Sequence, residues 1–250
     1  FGTVVFAFPA TAEDVPPAAQ RVNRWIDREE ESSGNRATPS PVSVPPAGEI
    51  EVKVPWEEQL PTTPTDPAPL IRDCEAGKGT ACRKLGRMFL EGRGVAKDET
   101  KGRQLCERGC EQGHAKSCRC FGWTVEHGTG GVKEPARAAV AYRKGCDLLD
   151  GGACAHLANL HREGKGLPKN TILGEQFSKR AVALYVKACD LGDAVQCGSL
   201  AGAYYDGTGV EKNLARSAAL YKKGCDGGDS DACNSLGYLC EKGEGVAKDA

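Results

Sequence analysis

The chain has 250 residues, 40% hydrophobic and 27% charged, a globular balance that suits one large domain, two small ones or an array of short repeats. Its 33 basic and 34 acidic side chains leave a formal net charge of −1, which excludes a chain-wide polybasic nucleic-acid binder. The totals hide an asymmetry: 12 of the 14 prolines precede Leu70, all 13 cysteines follow it, and residues 1–69 carry a net −6 against +5 for residues 70–250.

Residues 1–9 (FGTVVFAFP) are apolar, and Ala10-Thr11-Ala12 follows with the small-x-small pattern of a signal-peptidase site. Residues 1–12 are therefore expected to be a truncated signal peptide. The alternatives are an anchor that has lost its first half, because so short an apolar run does not span a bilayer, and a plain buried segment. Residues 13–69 are expected to hold one short helix within 16–31, with Val22, Trp25 and Ile26 on one face, and then a Pro-rich linker. Prolines deny helix and sheet their backbone donors, so 37–69 reads as a disordered spacer.

From residue 70 onward one unit repeats. Cys74 and Cys82, Cys110 and Cys118, Cys146 and Cys154, Cys189 and Cys197, and Cys225 and Cys233 are each eight apart, and the first members are separated by 36, 36, 43 and 36 residues. Leu85, Phe121, Leu157, Leu200 and Leu236 keep phase with them, as do the small residues Gly86, Gly122, Ala158, Ala201 and Gly237. Positions 8, 11, 12 and 15 past the first cysteine follow a helical period and line one buried stripe. A glycine pair (Gly92 and Gly94 in the first unit) then turns the chain, and Asp98, Asn213 and Asp249 are N-cap residues for a second helix. Such helix–turn–helix units bury their apolar faces only by stacking. The units run over about 74–109, 110–145, 146–188, 189–224 and 225–250, the last expected to be cut in mid-unit. The third unit is seven residues longer, at 170–176. Seven residues are close to two helical turns and would extend the second helix in phase, whereas Gly174 argues for a bulged loop.

Three readings of the cysteine register stand: local disulfides joining one unit's second helix to the next unit's first, buried thiols, and zinc. Bridges would close loops of about nine residues, worth about 2.5 kcal/mol each in the chain-entropy account. Zinc is disfavoured because the pairs lack a tight knuckle and do not converge. No histidine rescues a metal site, since His161 occupies a core position and His156 points from another face. Cys106, Cys120 and Cys240 fall outside the series. A Cys106–Cys120 bridge is compatible with the spacing, and the pairing of Cys240 is left open. So many cysteines in bridging register point to an oxidising compartment.

The phased consensus, with its A-C-x2-L-G-x2-Y core, its G-x-G turn and its Y-x-K-G-C-[DE]-x-G end, resembles the Sel1-like repeat, a relative of the tetratricopeptide repeat. Residues 200–249 match it closely, and the resemblance covers about 72–250. More narrowly the chain is similar to the cysteine-rich secreted subgroup that includes the Helicobacter cysteine-rich proteins. The resemblance implies an all-α, alpha/alpha superhelical solenoid of about five helix-turn-helix repeats. It also implies one disulfide per unit, at Cys74–Cys82, Cys110–Cys118, Cys146–Cys154, Cys189–Cys197 and Cys225–Cys233. Departures from the pattern are Gly131 where most units have valine, Ala188 where others have glycine, and the long third unit.

A solenoid of this kind offers a concave groove lined by its first helices. The positions 9 and 13 past each first cysteine make Arg83, Arg87, Arg119, Trp123, Asn159 and Tyr238 the groove-binding candidates. Trp123 and Tyr238 are large and rigid, and the arginines make the amino-terminal end basic, which suits an acidic peptide or a peptide carboxylate. A single arginine reads as solvated; the cluster is more suggestive. The expected function is an exported scaffold or adaptor, secreted or in the periplasm and cell envelope, that binds a protein or peptide. No cofactor, metal or nucleic acid is expected, and a membrane tether would run through the missing amino end. Some family members are described as β-lactam-binding proteins with weak β-lactamase activity, and others as redox or assembly factors. Neither alternative has a mechanism here, since no S-x-x-K motif occurs and no lysine or glutamate is placed to activate Ser199 or Ser235.

Overall fold

A computed structural model describes residues 66–245. The expected signal or anchor at 1–12, the short helix and Pro-rich linker, and Asp249 with the start of a last helix lie outside those residues. The described residues form ten helices: α1 (Ala68–Glu75), α2 (Gly79–Glu91), α3 (Glu99–Glu111), α4 (Ala115–His127), α5 (Pro135–Asp147), α6 (Gly151–Glu163), α7 (Thr171–Asp190), α8 (Ala194–Asp206), α9 (Leu214–Asp226) and α10 (Ser230–Lys242). The even-numbered helices are the first helices of the five units, and α3, α5, α7 and α9 are second helices. The short α1 stands where a preceding second helix would end. It begins two residues ahead of the expected domain start, because the Asp66 carboxylate accepts from Ala68 N at 3.0 Å.

Helix ends follow from local chemistry. Every first helix stops at a left-handed glycine, Gly92, Gly128, Gly164, Gly207 or Gly243. From the second unit on, the second glycine of each pair has a further reason to be glycine. A Cβ on Gly166 would run into the Pro135 backbone at the start of α5, so the turn of one unit docks on the second helix of the unit before. Asp98, Asn170 and Asn213 accept from Lys101 N, Leu173 N and Arg216 N at 2.9, 3.0 and 2.9 Å. Glu134 caps nothing; its carboxylate pairs with Arg103 at 2.6 Å. At the other end, a basic side chain of the next second helix donates to the last carbonyls of the previous one: Arg180 to Cys146 O at 3.3 Å and Lys223 to Cys189 O at 3.1 Å.

The buried stripe packs each first helix on its own second helix. The small residue at its centre is a steric requirement, since a Cβ on Gly122 would lie 2.6 Å from the Tyr142 ring. The long third unit lengthens its second helix: α7 has 20 residues against 13 in α5 and α9. Gly174, Ser178, Ala181, Val182, Tyr185 and Cys189 make one continuous buried face. Gly174 is therefore no bulge. A Cβ there would meet Arg162 Cγ at 2.6 Å, so it admits close approach of α6.

Gly131 has an equally local cause. The Arg103 guanidinium, buried in α3, occupies the space a side chain there would take: Nη1 donates to Val132 O at 3.1 Å, and a Cβ on Gly131 would lie 2.6 Å from it. The next unit reverses the sizes, with Ala139 in the register of Arg103 and Leu167 in that of Gly131.

The cysteines resolve to disulfides. Cys74–Cys82, Cys110–Cys118, Cys146–Cys154, Cys189–Cys197 and Cys225–Cys233 are bonded, with Cα separations from 4.3 to 4.7 Å. A sixth bond, Cys106–Cys120, ties α3 to α4 a turn away from Cys110–Cys118, with Cα atoms 5.7 Å apart. Among the described residues no cluster of His, Cys, Asp and Glu could hold a metal, and no helix is long and apolar enough to cross a membrane.

Candidate functional site

Successive first helices pack on one another, α2 on α4, α4 on α6 and α8 on α10, while successive second helices stand farther apart. The row of first helices is thus the more closely packed side of the stack, the side that carries the candidate groove columns. The row loosens between α6 and α8, beside the extended α7.

The six candidate residues fall into two groups. At the amino-terminal end, Arg83 and Arg87 on α2 and Arg119 and Trp123 on α4 come together. Trp123 is 42% exposed and stacks on His127 with centroids 4.6 Å apart. Arg87 is held by Glu91 one turn on, at 2.6 Å. Arg119 is not the solvated side chain that an isolated arginine suggests. Its Nε pairs at 3.1 Å with Asp150, whose side chain is only 3% exposed, and its guanidinium lies on Gly152 at the start of α6. Arg83 is half-buried, and among the described residues no carboxylate pairs with it and its Nε has no hydrogen-bond partner. Burial first, then the charges of Arg87 and Arg119, hold its guanidinium below the usual arginine range. Farther along, Asn159 on α6 accepts from Arg162. Tyr238 on α10 is 49% exposed, with Lys242 Nζ 5.8 Å from its ring centre.

Several groove residues carried no signal of their own. Asp150, Asp193 and Asp229 are N-caps of first helices, accepting from Ala153 N at 2.7 Å, Gln196 N at 3.2 Å and Asp231 N at 3.2 Å. The equivalent residues of the first two units are Lys78 and His114, which make no side-chain cap bond. Reading that column down the repeats would have exposed the change from basic to acidic. Lys116 crosses two units to Asp193 at 3.7 Å. Tyr142 donates to Glu126 at 2.7 Å, and the His156 ring lies parallel to it at 4.7 Å. Burial, and then the Glu126 bond, raise the Tyr142 hydroxyl far out of the titrating range. Burial likewise pushes Tyr185 up to about 12 and holds His156 and His114 below the ordinary imidazole value. His161 is buried against Phe177, centroids 5.5 Å apart, outside the groove.

Ser199 and Ser235 each donate to the carbonyl one turn back in their own helices, Val195 O at 3.0 Å and Asp231 O at 2.9 Å. Among the described residues neither hydroxyl meets a carboxylate, lysine or imidazole.

The Sel1 repeat model matches residues 79–114, 152–193, 199–229 and 230–250, just over half of the chain. The unmatched stretch holds the second unit, with Cys120 and Gly131, yet it folds into the same helix pair, α4 and α5. No curated protein matches the sequence. Among solved structures, a Sel1 repeat protein from Oxalobacter formigenes is 26% identical, with a TM-score of 0.48, over 73% of this chain and 76% of that one. The Helicobacter pylori cysteine rich protein B is 30% identical, with a TM-score of 0.36, over 54% of this chain and 98% of that one. A protective antigen of uropathogenic Escherichia coli strains is 24% identical, with a TM-score of 0.44, over 74% of this chain. The chain spans 46% of that antigen's length. On the family match and the repeat geometry, the chain belongs to the Sel1 repeat family.

Proposed function

We propose that this protein is an exported, non-catalytic scaffold whose groove binds an acidic protein or peptide. Sel1 repeats are protein-interaction modules. The observation that carries the reading is the contrast between a uniform buried frame and an individual groove: the first two units hold Arg83, Arg87, Arg119 and Trp123 where the fourth holds Gly198 and Gly202. A rigid, exposed aromatic beside clustered guanidinium groups is the composition of a binding hot spot. Six disulfides among the described residues favour an oxidising location, the periplasm, cell envelope or exterior, with residues 1–12 as export signal or anchor.

The test is cross-linking capture from the native envelope with the wild-type chain and the Trp123→Ala and Tyr238→Ala variants. One partner band that weakens in the variants supports the groove. Capture unaffected by both variants refutes it. A nitrocefin hydrolysis rate that survives repurification and is lost with a groove substitution would overturn the non-catalytic reading.

A further inference from the structure

The repeat supplies its own control for what should sit on Arg83. Arg83 and Arg119 occupy the same position in successive units, nine residues past Cys74 and Cys110. Arg119 reaches forward to the N-cap of the next first helix, where Asp150 receives it at 3.1 Å, and it lies over Gly152. The matching N-cap ahead of Arg83 is His114, whose Nδ1 is 2.8 Å from Ser117 Oγ, and the residue in Gly152's register is Lys116. Arg83 therefore has an imidazole ahead of it where its twin has a carboxylate, and the lysine in Gly152's register reaches away from it, to Asp193. Asp150, the acid among the described residues whose charge acts on it, is already committed to Arg119 and to Ala153 N. A half-buried guanidinium left in this state favours any anion that can reach it.

We infer that Arg83 is the anchor for a carboxylate side chain of the bound partner, an Asp or Glu that takes the place Asp150 takes on Arg119. This rests on the groove being the binding surface and goes beyond it in naming the residue that reads the charge. It also places the acidic contact at the boundary of the first and second units, at the start of α4.

The test uses the full chain and a fluorescent, amino-acetylated hexaglutamate peptide, with hexaglutamine as control and inorganic phosphate as competitor at constant ionic strength. The wild type binds hexaglutamate in preference to hexaglutamine. Arg83→Met, which keeps the stem and removes the charge, weakens binding about tenfold. His114→Asp, which rebuilds the Asp150 arrangement within the chain, weakens it similarly. His114→Asn, an equally good N-cap without charge, weakens it less than His114→Asp. Wild-type affinity in both Arg83→Met and His114→Asp overturns the assignment, as does displacement by phosphate at concentrations where chloride has no effect. Failure of the wild type to bind hexaglutamate also overturns the anchor, while the groove itself is judged separately by the Trp123 and Tyr238 capture experiment.

Discussion

In the second repeat, α4 presents Arg119 and Trp123 to the groove; in the fourth, α8 presents Gly198 and Gly202 at the same two positions. Behind those columns the two repeats are alike. Cys118, Phe121 and Gly122 lie buried in one, and Cys197, Leu200 and Ala201 in the other, each helix ending on a left-handed glycine. At Gly198 the space is taken from the far side, by the Asp229 carboxylate of the fifth unit. So an arginine reaches forward to an aspartate at one boundary, and an aspartate reaches back over a glycine at another. Stacking constrains the frame, whereas the groove columns are released from packing and carry what distinguishes one unit from the next.

If the frame is uniform, breaking it should cost about the same anywhere. Cys146→Ala with Cys154→Ala, and separately Cys189→Ala with Cys197→Ala, are each expected to lose about 2–4 kcal/mol of unfolding free energy in urea titrations. Widely different losses at the two junctions would show that the frame is not uniform. Adjacent helix positions give a sharper contrast. Gly122→Ala forces a methyl into the Tyr142 ring and should cost about 1–3 kcal/mol. Gly202→Ala meets only Tyr221 Oη, at an ordinary 3.5 Å, and should stabilise by up to about 1 kcal/mol through helix propensity.

Within the groove the two arginines are expected to part company. Arg119→Met strands Asp150 in its buried seat and should cost about 1–3 kcal/mol. Arg83→Met relieves an unpaired charge and should be neutral or stabilising in the same titration. Equal losses would erase the distinction between a structural and a ligand-directed guanidinium. The smallest effect is expected with pH. Burial first, and the Arg143 charge second, hold His161 below its ordinary 6.5. The unfolded chain then binds the proton more readily, so the contribution is complete above 6.5 and is lost as pH falls toward the lowered folded value. His161→Phe, which installs the side chain that Phe89 supplies at the equivalent position, should make the acid-side decline shallower by a fraction of one proton's slope, about 1.4 kcal/mol per pH unit.

Much of the site was legible as columns of an aligned repeat. Arg83, Arg87, Arg119 and Trp123 follow from counting past each first cysteine, because a helix of known phase puts fixed offsets on a fixed face. What each of them does was not legible. Counting alone makes Arg119 a solvated side chain, whereas Asp150, 31 residues on, lies beneath it; counting alone makes Arg83 its equal, whereas His114 stands where an acid would complete the pair.

By itself the sequence determined the unit, its helices, its caps and turns, and a cysteine register compatible with bridges, since all of these depend on spacings within one or two helical turns or one short loop. Only the tertiary structure decided that Cys106 bonds Cys120, that the insert extends α7, that Arg103 fills the space beside Gly131, and that Arg83 has no acid of its own among the described residues. Each of those depends on which side chains meet across a helix–helix contact, and that is set by packing rather than by distance along the chain.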